Sequence, residues 1–106
     1  MKEDTYIVND CNVVEDIGKT LNERGYVPEI ITDRPDRKVI HYKGNPASFG
    51  AIDLTCCERY FGTTTSTKYE IKIDFIDVDV RVESRLEEAI GKVIKTFVPK
   101  EKDSNL

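Results

Sequence analysis

Catalytic side chains are scarce in this sequence. It holds a single histidine, His41, and no serine in a G-x-S-x-G context. The three cysteines, Cys11, Cys56 and Cys57, cannot all pair within one molecule. Neighbouring Cys56 and Cys57 would point to opposite faces of a strand, so they do not share one metal as a CxxC pair can. They read as buried, reduced thiols, with a bridge from Cys11 to Cys56 or Cys57, or between molecules, as the alternative. Nothing in the spacing favours a thiol nucleophile with His41 as its base. No apolar run approaches the roughly 18 residues that span a bilayer. Met1-Lys2-Glu3-Asp4-Thr5 lacks the apolar core of a secretory signal, so the chain as it stands reads as cytoplasmic; removal of a leader would make it exported. There is no glycine-containing Ca²⁺ loop. Gly62 to Lys68 departs from G-x-x-x-x-G-K-[ST] and precedes a strand instead of a helix, which excludes a phosphate loop. No cofactor and no metal are expected.

What the sequence does have is core. Its 106 residues are 39% hydrophobic, with five Tyr and four Phe. A chain of this size is one domain's worth and buries roughly 65% of its unfolded surface. Residues 1–99 read as that domain and 100–106 as a charged flexible tail. The net charge of −4 favours solubility and opposes indiscriminate binding to nucleic acid or anionic membrane.

The clearest pattern runs from Tyr69 to Pro99. Tyr69, Ile71, Ile73 and Phe75 alternate with Glu70, Lys72 and Asp74, as in a strand with one buried face. At Phe75-Ile76 the parity flips, and Ile76, Val78, Val80 and Val82 alternate with Asp77, Asp79, Arg81 and Glu83. This predicts a strand with a bulge, or one that bends and continues with its other face inward. Ser84 to Glu87 has capping-box spacing, and Leu86, Ala89, Ile90, Val93, Ile94 and Phe97 predict an amphipathic helix limited by Pro99.

Earlier elements follow the same logic. Thr5 to Val8 is β-prone. Asp10 or Asn12 caps a helix with Val14, Ile17 and Leu21 as its stripe, and Asn12 to Glu15 has capping-box spacing. Gly18 on that stripe predicts a close backbone approach, and Gly25 is a natural C′ residue. Tyr26 to Ile31 is the next strand, so the start predicts a right-handed parallel crossover. Thr32 to Asp36 reads as a solvated loop. Lys38 to Lys43 is a strand with Val39 and His41 on one face and Ile40 and Tyr42 on the other. Gly44-Asn45-Pro46 turns the chain into Ala51 to Phe61. The fold class is α+β: a two-layer sandwich of a mostly antiparallel sheet with two amphipathic helices on one face, in the order β-α-β-β-β-β-α.

Two charged groups are candidates for binding. Asp77 and Asp79 would share a strand face, and a bulge at Phe75-Ile76 would bring Asp74 towards them. Three convergent carboxylates can recognise a basic protein, or hold Mg²⁺ or Ca²⁺; a solvated strand face is the simpler alternative to the metal. Residues 34–43, with Arg34, Arg37, Lys38 and Lys43 against Asp36, concentrate a net +3 in a chain of −4. With Tyr42, Arg59, Tyr60 and Phe61 they offer phosphate pairing and base stacking for single-stranded nucleic acid, without any RRM, KH or zinc-knuckle signature. Abundant core and sparse catalytic equipment together predict a non-enzymatic protein–protein interaction module, an inhibitor or accessory subunit. Nucleic-acid binding is the first alternative, and a cysteine- or carboxylate/metal-dependent enzyme the second. A homodimer through the sheet face or an edge strand fits the same pattern.

Overall fold

The structure, a computed structural model, describes residues 2–59 and 68–96. Tyr60, Phe61, the polar connection after them, Phe97, Pro99 and the expected tail lie outside the described residues. The chain forms β1 (Lys2–Val8), α1 (Val13–Glu23), β2 (Tyr26–Arg34), β3 (Arg37–Gly44), a short 3-10 helix (Ala47–Phe49), β4 (Ala51–Arg59), β5 (Lys68–Ile76) and α2 (Val80–Lys95). The expected α+β order is therefore the observed one. The strands make one open five-stranded sheet in the order β1-β5-β4-β3-β2, antiparallel throughout. Along such a sheet direction alternates, so the two edge strands β1 and β2 point the same way. The crossover through α1 is parallel, but it spans three intervening strands instead of joining neighbours.

The core is built at the sheet centre. Ile52, Leu54 and Cys56 of β4 stand directly opposite Phe75, Ile73 and Ile71 of β5, and all six are buried. α1 lays Val13, Val14, Ile17 and Leu21 on this surface, and α2 lays Leu86, Ile90 and Ile94. Tyr26 closes one end, its hydroxyl donating to the Phe49 carbonyl at 2.9 Å. As the alternation in β3 predicts, Tyr42 is buried and Ile40 packs against the core. Gly25 follows α1 with φ of 94°, the left-handed conformation expected of a C′ glycine.

Three local expectations are corrected. The alternation from Ile76 to Val82 is not strand. β5 ends at Ile76, Asp77 turns the backbone with φ of 56°, and the Asp79 carboxylate accepts from the Arg81 N–H at 2.9 Å to cap α2. Val80 and Val82 are therefore exposed residues of the first helical turns, and Ser84 lies inside the helix and not at its cap. Acid-apolar repetition at period two fits a strand and a cap equally well until an Asp takes the N-cap role. At α1, Asn12 makes no side-chain cap; the Asp10 carboxylate accepts from the Asn12 N–H at 2.9 Å. Thr32 to Arg34 continue β2 instead of looping out, and only Pro35 and Asp36 connect it to β3. The pairing slips between Ile30 and Thr32, which leaves Ile31 as the extra residue of a β-bulge.

Gly18 and Gly91 occupy similar places on the two helices and have opposite surroundings. A Cβ on Gly18 would lie 2.7 Å from the Tyr42 hydroxyl, whereas one on Gly91 meets nothing within 4 Å. Ala is favoured over Gly by about 1 kcal/mol in a helix interior. Gly91→Ala is therefore expected to stabilise by up to about that amount. Gly18→Ala should fall short of it, and recover most of it in a Tyr42→Phe background, as a urea double-mutant cycle would read. Equal effects in both backgrounds would remove the Gly18–Tyr42 contact from the account. Replacing the cap, Asp79→Ala, should cost about 1 kcal/mol, and Ser84→Ala under about 0.5 kcal/mol, measured the same way.

Candidate functional site

Two helices do not cover five strands. α2 lies over the β1 side, where Lys2 Nζ meets Glu87 Oε2 at 2.8 Å. α1 lies with Gly18 against Tyr42 of β3. Among the described residues nothing covers the helix-bearing face of β2 and β3 beyond α1, and an open groove of about 930 Å³ runs there. Pro28, Ile30, Ile40, Tyr42 and Val14 supply its apolar lining, and Glu15, Lys19, Asn22, Glu23, Thr32, Asp33 and Lys38 complete it. The bulge shapes this floor. Ile30 stands opposite Ile40 and Asp33 opposite Lys38, so the extra residue Ile31 returns Asp33 to the side that Ile30 faces. Ile30 is 64% exposed, an unusual position for an isoleucine in a concave apolar lining.

Neither described helix lies on the opposite face of the sheet. Glu3, Asp74, Asp53, His41 and Glu29 stand in one register row across all five strands. His41 Nδ1 lies 2.5 Å from Asp53 Oδ1. Burial, then the neighbouring Glu3 and Asp53 carboxylates, hold the Asp74 carboxyl above its ordinary range, with Lys72 opposing. A smaller depression of about 350 Å³ beside His41 is bordered by Lys43, Ser48 and Asp77. This row was missed in the sequence because its members come from five strands, and the register that aligns them is a tertiary property.

The predicted site residues do not assemble as expected. Asp74 lies in the outer row, Asp77 at the turn after β5, and Asp79 at the α2 cap, so they share no strand face. Among the described residues no three His, Cys, Asp or Glu side chains are grouped to hold a metal ion. The basic set is divided as well. Lys38 borders the groove while Arg37, one residue earlier, alternates to the outer face; Arg34 stands opposite Arg37. Arg59 bonds Glu70 at 2.8 Å, Lys43 borders the smaller depression, and Tyr42 is buried. Cys11, Cys56 and Cys57 are free thiols, and burial pushes Cys56 up to about 11. Cys56 and Cys57 face opposite sides as adjacency requires. Cys57 stands opposite Arg37, four residues along β3 from His41; that is about 13 Å of strand, beyond hydrogen-bond reach.

No protein-family model matches the chain, and no curated protein does either. No helix among the described residues is long and apolar enough to cross a membrane.

A third cluster gives the molecule a pH response. Burial, followed by a hydrogen bond to Glu87, raises the Asp4 carboxyl to about 6. Glu87 is held below its usual value by that bond and by Lys2. A carboxyl raised above its unfolded value leaves the folded chain holding more protons between about pH 4 and 6. Asp4 therefore withdraws stability as pH rises through that window. Glu87 acts in the opposite sense, contributing stability that is lost as pH falls below its ordinary range. Asp4→Asn should raise stability at pH 7–8 relative to the parent and flatten its decline between about pH 4 and 6, as urea unfolding at stepped pH would show. An unchanged slope would exclude Asp4 as its source.

Proposed function

We propose that this chain is a small binding domain that recognises another protein through the groove bounded by α1, β2 and β3. The observation that carries the reading is the exposed Ile30, set in a concave lining with Pro28, Ile40 and Tyr42. Apolar surface held in a groove with a charged border is the ordinary anatomy of a recognition site, with desolvated anchors at the centre and polar groups at the rim. Such a domain acts as an inhibitor or accessory subunit, and its work is contact instead of bond chemistry.

The alternatives draw less support. A stacking surface for nucleic acid loses Tyr42 to the core and Lys38 to the groove, and Arg59 is already paired with Glu70. The His41–Asp53 pair is the nearest thing to catalytic geometry, but no thiol lies in its reach. The direct test places a photo-crosslinking residue at Thr32, identifies the captured partner and reconstitutes the pair from purified proteins. Ile30→Asp is expected to weaken that complex at least about tenfold while changing stability by under about 1 kcal/mol. A complex insensitive to Ile30→Asp but abolished by Asp53→Asn would move the site to the outer face and overturn the reading.

A further inference from the structure

We infer that the groove takes an amphipathic helix from the partner, lying alongside α1 and presenting a Lys–Glu–Lys edge at four-residue spacing. This rests on the groove being the protein-binding site. Neighbouring helices pack 8–10 Å apart, and α1 already has α2 on its other side, both seated on the same core. The bare face of β2 and β3 is the adjacent helix position on that layer, and its floor of Ile30, Ile40 and Tyr42 is apolar.

A strand is the less suitable occupant. β2 is an edge, but Pro28 has no N–H to offer and the bulge at Ile31 breaks the even spacing of its backbone groups. Both features are devices by which edges resist strand addition. A helix needs only the side-chain surface, because its backbone is satisfied internally.

Charge sets the complement. Glu15, Lys19 and Glu23 border the groove along α1 at steps of four residues, each about 6 Å of helix rise. A partner helix carrying Lys, Glu and Lys at the same steps meets each with the opposite sign, in either direction along α1, because both edges read the same forwards and backwards. Reversing the edge to Glu–Lys–Glu places like charges together at all three positions.

The test titrates the full, isotope-labelled chain with three synthetic peptides and reads amide shifts. The first is an 18-residue helix former, about 27 Å long, with a Leu/Ile stripe and the Lys–Glu–Lys edge. The second reverses the edge, and the third carries a central proline that blocks the helix. Shifts centred on Gly18, Ile30, Ile40 and Tyr42, with the first peptide binding at least tenfold tighter than either control, are expected. Lys19→Glu should reduce that preference over the reversed edge, and the paired variant Glu15→Lys with Glu23→Lys should invert it; amide dispersion reports that each is folded. Equal binding of the proline peptide, or no discrimination between edges, would overturn the helix assignment. So would shifts at these residues on concentrating the chain alone, which would assign the groove to a second copy. If the reconstituted partner still depends on Ile30 while the peptides fail to discriminate, the groove reading stands and the helix falls; if neither responds, both fall.

Discussion

The in-register apolar block at the sheet centre is the contact on which everything else is seated. Cys56, Leu54 and Ile52 face Ile71, Ile73 and Phe75 across β4 and β5, and both helices use that block as their floor. Its register is held by period-two alternation, since a slip of one residue would turn the entire apolar set to solvent. α1 is then located by a second contact, the approach of Gly18 to the Tyr42 hydroxyl. With a bulkier residue at 18 the helix would ride higher over β3, and the groove beside it would change depth.

The elements whose physics is local were legible in the sequence, and those decided by distant contacts were not. Alternation in 69–75 and helical spacing around Ile17 and Ile90 gave the right elements because apolar periodicity is the force that forms them. The stretch Asp77-Val78-Asp79-Val80 misled because valine alternating with aspartate satisfies a strand template, while the decision to leave the sheet is made by the left-handed turn at Asp77 and the Asp79 cap. The groove was invisible for a different reason. Ile30 looks like any strand isoleucine until it is known that β2 is an edge and that α1 stops short of covering it. Likewise Lys38 and Arg37 look like one basic patch until the pleat separates them.

The two faces of the sheet divide the molecule's chemistry. The helix-bearing face is apolar and incomplete at β2 and β3. The other face is polar, with carboxylates aligned from edge to edge and His41 among them. Asp74 is held above its ordinary carboxyl range there, by burial first and then by the neighbouring Glu3 and Asp53 carboxylates. The carboxylate row is flanked on the same face by Lys72, Arg59, Arg37 and Lys43, so the outer face is a mixed-charge surface.

The placement of β1 has a consequence for how the chain reaches this state. Lys2 meets Phe75 and Val8 meets Tyr69, so the first of the five strands in chain order is paired with the last. β2, β3, β4 and β5 pair with their sequence neighbours, with no more than eight residues of chain between one and the next. The meander is the low-entropy-cost part of folding, and β1 closes the longest loop in the sheet. β1 therefore has no β5 to pair with until the meander has been made. Its Lys2, Glu3 and Asp4 suit that interval, because charges on an unpaired strand discourage premature partners.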